Sequence, residues 1–124
     1  MRSYYSIILV DDDPINNLIN KRLIAKTGVS EFVEEFLEAE KALARLRTLN
    51  LEQKTLILLD INMPIMNGWD FLNIYRKEFP DRKDKIVMLS SSIDFQDRQK
   101  SLLYSCVKGF LEKPLTPEKF NSLL

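Results

Sequence analysis

The stretch "LILLDINMPIMNGWDFL", residues 56–72, decides how the rest of the chain is read. Leu56, Ile57, Leu58 and Leu59 run without a polar break into Asp60. A short apolar run bounded by turn residues reads as a buried strand. An ionised carboxylate at the end of such a strand is costly to desolvate, so it calls for a partner or a task. Asn-Met-Pro and then Asn-Gly follow, so the chain turns directly after the acid.

The same design recurs on both sides of this stretch. "SIILV" (6–10) and "KIVMLS" (85–90) are strands without polar alternation. "EFVEEFL" (31–37) is a more polar strand suited to an edge, and "GFLEK" (109–113) is a short fifth. Helix-period segments lie between them. Asp13 reads as an N-cap with Pro14 at the first helical position. Ile15, Leu18, Ile19, Leu23 and Ile24 then repeat at helical spacing until Gly28. "AEKALARLRTL" (39–49) points Ala42, Leu43 and Leu46 inward, and a third helix runs from Gly68 to Phe79. The spacing predicts a fourth helix over 94–107, with Asp94 as a cap, and a last short one over 116–124. Strands apolar on both faces belong in a parallel sheet covered by helices on each side, and β-α alternation points the same way. The expected fold is a five-stranded doubly wound α/β domain.

In such sheets function gathers at the carboxyl ends of the strands. Those ends carry Asp11, Asp12 and Asp13, then Asp60, then Ser90, Ser91 and Ser92, then Lys113 followed by Pro114. Polar residues are ordinary where one strand meets solvent. On four strands sharing one edge they form a pattern. Clustered carboxylates repel and raise one another's pKa unless a cation intervenes. Magnesium fits that role, because it takes hard oxygen ligands and is held by one or two carboxylates together with phosphate oxygens. The EF-hand spacing that calcium would favour is missing. The Lys113 ammonium suits an anion such as a phosphoryl group.

Composition closes off other classes. The 124 residues suit one domain with a real core. Lysine plus arginine balances aspartate plus glutamate at 18 each, without the basic excess expected of a direct nucleic-acid binder. The chain has no histidine, so Ser–His or Cys–His catalysis and a histidine metal site are excluded. One cysteine, Cys106, permits no internal disulfide and reads as a small core residue. The N-terminal apolar run is too short to span a membrane and does not resemble a signal peptide, so a cytoplasmic setting without membrane contact is expected.

"IILVDDD", "LILLDINMPIMNG", "IVMLSS" and "GFLEKP" together resemble the receiver domain of two-component response regulators, in the right order over nearly the whole chain. The resemblance implies a flavodoxin-like sheet of order 2-1-3-4-5, forming a single receiver over 1–124 without an output domain. It implies that Asp60 accepts a phosphoryl group from a sensor histidine kinase or histidine phosphotransfer protein. It implies that Asp11, Asp12, Asp60 and the backbone carbonyl of Asn62 hold Mg²⁺. Ser90 matches the switch hydroxyl, and Lys113 the lysine that pairs with the phosphoryl group. Pro64 shapes the loop beside the site, and the Lys113–Pro114 bond is expected to be cis. Phe110 stands at the aromatic switch position, where many receivers carry tyrosine, so a hydroxyl-based switch does not carry over. Such a domain is a signalling switch that catalyses its own phosphorylation and dephosphorylation, not a metabolic enzyme. It would act on a downstream protein target, as a monomer or a phosphorylation-dependent dimer.

Two rivals use the same residues. "IILVDDDPI" also resembles the nucleophile motif of haloacid-dehalogenase-type phosphatases, with Asp11 as nucleophile and Asp13 as acid/base. That reading leaves "DINMPIMNG" unexplained. The other rival is a receiver-fold interaction module that no longer takes phosphate. Such modules usually lose an acid or the lysine, and here none is missing.

Overall fold

The computed structural model describes residues 4–124 apart from Glu31 and Ile93. Strands and helices alternate from start to end: β1 (Ser6–Val10), α1 (Pro14–Ala25), β2 (Phe32–Phe36), α2 (Ala39–Thr48), β3 (Thr55–Asp60), α3 (Gly68–Glu78), β4 (Lys85–Ser90), α4 (Phe95–Ser101), β5 (Val107–Glu112) and α5 (Pro117–Asn121). The strands form one parallel sheet in the order β2-β1-β3-β4-β5, as expected. The order of the strands reverses between β1 and β3, the switch point at which such sheets build sites.

The unbroken apolar strands explain the layering. Alternate side chains of a strand point to opposite faces. Ile8, Val10, Ile57, Leu59, Ile86 and Met88 pack on one face with Leu43 and Leu46 of α2 and Phe71, Leu72 and Tyr75 of α3. Ile7, Leu9, Leu56, Leu58, Val87 and Leu89 pack on the other with Ile24 of α1 and Phe120 of α5. β2 is the polar edge strand that its sequence predicts, with its expected first residue, Glu31, outside the described residues.

Two expectations need correction. The apolar repeat of α1 is buried only at its carboxyl end: Ile15, Leu18 and Ile19 are 67%, 42% and 57% exposed, while Ile24 is buried, together with the polar Asn17 and Asn20. The Asp13 cap fixes where the helix begins and so which way it faces. It turns Asn17 inward, where its amide donates to the Asp11 carbonyl at 2.9 Å and the Phe36 carbonyl at 3.4 Å. The Asp11 carbonyl follows a buried strand, and an apolar side chain at 17 would take away this donor.

The fourth helix is also half the expected length. It stops at Ser101, and the N–H groups of Leu102, Leu103 and Tyr104 each bond three residues back in tight turns. Tyr104 then drops into the core, its ring 5.9 Å from Trp69 and its hydroxyl 3.1 Å from Asn73 Oδ1. Leu102 and Leu103 face solvent. β5 consequently starts at Val107, with a register shift against Ile86 and Val87 that skips Lys108. Cys106 is half-buried beside the core.

At the amino-terminal edge of the sheet, Arg82 and Asp84 form an ion pair with both side chains 1% exposed. Asp84 accepts from the Thr55 N–H and the Tyr75 hydroxyl. Arg82 also donates to the carbonyls of Leu49, Asn50 and Gln53. The pair thus ties the loop before β3 to the loop before β4. No helix is long and apolar enough to cross a membrane among the described residues.

Candidate functional site

β1, β3, β4 and β5 deliver their polar ends to one edge. Asp11 lies one residue past β1, Asp60 and Ser90 are the last residues of β3 and β4, and Lys113 lies one past β5. Main-chain bonds fix these ends to one another. Asp11 N–H donates to the Phe36 carbonyl, Ile61 N–H to Leu89, and Lys113 N–H to Ser90 at 2.7 Å.

Carboxylate oxygens of Asp11, Asp12 and Asp60 come within 4.8 Å of one another. Asp11 and Asp60 are buried and Asp12 is exposed. The Lys113 ammonium reaches between the two buried acids, 2.8 Å from Asp11 Oδ2 and 3.2 Å from Asp60 Oδ1. Burial pushes the Asp60 carboxyl above its ordinary pKa, and the Asp11 charge adds to the push; Lys113 and the Asn62 N–H pull back without cancelling it. Burial works against the charged form of Lys113, but the hydrogen bonds and charges of Asp11 and Asp60 outweigh it and hold the ammonium above the usual lysine range. Three acids against one ammonium leave this edge with negative charge to spare. That is the hard-oxygen environment a divalent cation takes.

The loop after Asp60 is shaped by backbone. Gly68 N–H bonds back to the Ile61 carbonyl at 2.8 Å. A Cβ on Gly68 would stand 2.8 Å from the Asp60 carbonyl oxygen, so only glycine fits. Asn67 then caps α3 in a reciprocal box with Asp70. Between them, Pro64 accepts from the Met66 N–H, and Ile65 sits fully exposed at φ 69°. Asn62, whose carbonyl was expected to face a cation, is exposed and turns its N–H to the Asp60 carboxylate.

The Ser90 hydroxyl donates to the Ser92 carbonyl at 2.6 Å and accepts from the Ser92 N–H at 3.3 Å. Phe110 is half-buried, with the Arg98 guanidinium of α4 5.9 Å from its ring centre. The Lys113–Pro114 peptide is cis. Asp13 stands apart from the three acids; its side chain accepts from the N–H groups of Ile15 and Asn16 as the α1 cap. Asp13 thus serves the start of α1 and is not part of the acidic group, which gives the phosphatase reading no support.

One neighbour went unnoticed in the sequence. Asn16 Nδ2 donates to Asp11 Oδ2 at 2.6 Å. The only signal for it is an amide placed one helical turn past an acid-rich strand end, and its contact depends on how the Asp13 cap rotates the helix.

The family model for the response regulator receiver domain matches residues 7–124. A solved two component response regulator from Cytophaga hutchinsonii is 32% identical, with a TM-score of 0.89 over 98% of this chain and 95% of that one. The probable C4-dicarboxylate response regulator DctR of Halalkalibacterium halodurans is 29% identical over 95% of this chain and 49% of its own length. The osmosensing histidine protein kinase SLN1 of Saccharomyces cerevisiae is 27% identical over 95% of this chain and 10% of its own length. The chain thus spans about half the length of the regulators it matches first. The matched span takes in every strand-end group described above, from Asp11 to Lys113, and the chain belongs to the family of response regulator receiver domains.

Proposed function

We propose that Asp60 accepts a phosphoryl group and that its modification switches the binding of a partner protein. The observation that carries this reading is the Lys113 ammonium lying between Asp11 and Asp60, with Asp12 completing the acidic group. A carboxylate nucleophile needs little proton chemistry for such a transfer; it needs placement and compensation of phosphoryl charge.

The donor is phosphohistidine on a sensor histidine kinase or a phosphotransfer protein. An Asp60 oxygen attacks phosphorus; the O–P bond forms as the P–N bond breaks, and the electron pair returns to the imidazole nitrogen, which takes a proton from water. Asp11, Asp12, Asp60 and the Asn62 carbonyl would hold Mg²⁺, which supplies positive charge against the phosphoryl oxygens. Lys113 supplies the second positive charge. The Ser90 hydroxyl leaves the Ser92 carbonyl for a phosphoryl oxygen, freeing the loop before α4. Phe110 then repacks, and the surface of α4 and β5 changes its affinity for a protein target. Phosphorylation acts here as a local charge that biases two arrangements of the same fold. The domain works in the cytoplasm, as one receiver unit, monomeric or dimerising when phosphorylated, and hydrolysis of the acyl phosphate resets it.

Acetyl phosphate with Mg²⁺ tests the acceptor. Intact mass is expected to show one phosphoryl adduct on the wild type and none on Asp60→Asn. An equal adduct on the Asn variant would remove Asp60 from the role, and labelling at Asp11 would revive the phosphatase chemistry. A wild type left unmodified would favour a phosphate-independent interaction module.

A further inference from the structure

Three donors hold the Asp11 carboxylate. Its Oδ1 accepts from the Asp13 N–H at 2.9 Å. Its Oδ2 accepts from two groups at once, Asn16 Nδ2 at 2.6 Å and Lys113 Nζ at 2.8 Å. Lys113 is shared, because it also reaches Asp60. Asn16 is not: its amide has a hydrogen bond to Asp11 alone, and its own N–H belongs to the Asp13 cap. Only the NH₂ end of an amide can face an anion at this distance, which fixes its orientation.

The consequence follows from charge. Asp11 sits within reach of two other carboxylates and would turn away from them unless held. In the proposed reaction Lys113 follows the negative charge that arrives on Asp60. Asp11, which is 4% exposed, would then lose its charged donor on Oδ2. A buried acceptor stripped of its partner is strongly unfavourable.

We infer that Asn16 is a positioning residue: it keeps the Asp11 carboxylate aimed into the acidic edge independently of Lys113, so that the lysine is free to move to the phosphoryl group. This rests on the function proposed above. Asn16 touches neither phosphoryl group nor cation in this role; it acts through Asp11. Because Asn16 and Lys113 hold the same oxygen, each partly covers the loss of the other, and the two must be non-additive.

The test is direct Mg²⁺ titration by calorimetry, on metal-free protein, of Asn16→Ala in the wild-type and the Lys113→Met backgrounds, with thermal melts of each. Asn16→Leu, close in shape and without a donor, is a second variant in case Asn16→Ala folds poorly. With Lys113 present, the loss of the amide is expected to weaken Mg²⁺ binding roughly threefold, a modest coupling. With Lys113 gone, the same substitution is expected to weaken it about tenfold, the size usual for residues that orient a metal ligand. Equal Kd ratios in the two backgrounds, or unchanged Kd with a lower Tm, would overturn the inference and leave Asn16 a helix-packing residue. A wild type that neither binds Mg²⁺ nor takes a phosphoryl group from acetyl phosphate would overturn the underlying function instead. A wild type that does both, beside variants indistinguishable from their parents, would overturn the role of Asn16 alone.

Discussion

Lys113 Nζ stands 3.2 Å from Asp60 Oδ1, yet the lysine does not bring the acid back to its ordinary pKa. Burial and the Asp11 charge win. A carboxyl whose pKa is higher folded than unfolded favours the fold most when neutral. Its contribution is complete below its ordinary value of 3.8 and is lost as pH rises through the raised one. Metal-free Asp60→Asn is therefore expected to melt above the wild type at neutral pH, with the gap closing as pH falls toward 3.8. Saturating Mg²⁺ should narrow the gap at neutral pH by stabilising the wild type more than the variant, which has lost one carboxylate of the site. Melting curves over pH with and without chelator check both effects.

Gly68→Ala tests the backbone that presents the acceptor. The new Cβ would meet the Asp60 carbonyl oxygen at 2.8 Å and Ile61 Cα at 3.0 Å, neither of which can yield as a side chain does. The expected loss is about 1–3 kcal/mol, the range for forced overpacking. Phosphoryl uptake should fall together with stability, because the displaced atoms belong to Asp60 and its neighbour. Urea melts and adduct formation from acetyl phosphate measure the two.

Asp84→Ala probes the opposite edge of the sheet. It would strand the Arg82 guanidinium, whose side chain is 1% exposed, and strip the Thr55 N–H and Tyr75 hydroxyl of their acceptor. Removing one partner of a buried pair costs about 3–5 kcal/mol. Chemical denaturation should read that loss, while Mg²⁺ affinity of the folded fraction stays unchanged.

Ile65→Asn should stabilise the protein. A β-branched residue at φ 69° is strained, and the fully exposed Ile65 side chain has little packing to lose. Asparagine enters this backbone region readily, so a gain of about 1 kcal/mol is expected from relief of left-handed strain. A rise in urea midpoint at constant slope would show it.

The parts legible in the sequence are those where one physical signal acts alone. Leu56 to Leu59 are at most 1% exposed, and nothing in their pattern permits a solvated face. The acids, the serine and the lysine follow from the strands that end in them. Where two signals compete, the periodicity misleads. Ile15, Leu18 and Ile19 repeat like a core face, but a cap and two strand-end carbonyls turn α1 the other way. Residues 102–106 are compatible with a helix, and only the tertiary seat of Tyr104 between Trp69 and Asn73 ends it early. Arg82 and Asp84 lie in "PDRKDK", which reads as a solvated turn, because the burial of Arg82 depends on carbonyls two loops back in the chain. Asn16 is hidden for the same reason: its contact runs from a helix back to a strand end.

The bond from Lys113 N–H to the Ser90 carbonyl is made by main chain alone. No substitution at either position, proline at 113 apart, removes it. The tips of β4 and β5 are therefore held in register by a tie that survives exchange of the hydroxyl or the ammonium for another group. The register of these two strand ends is thus independent of the groups they carry, whereas loss of the ammonium leaves the buried Asp11 and Asp60 without their charged partner, so variants at 113 need a stability reading beside the functional one.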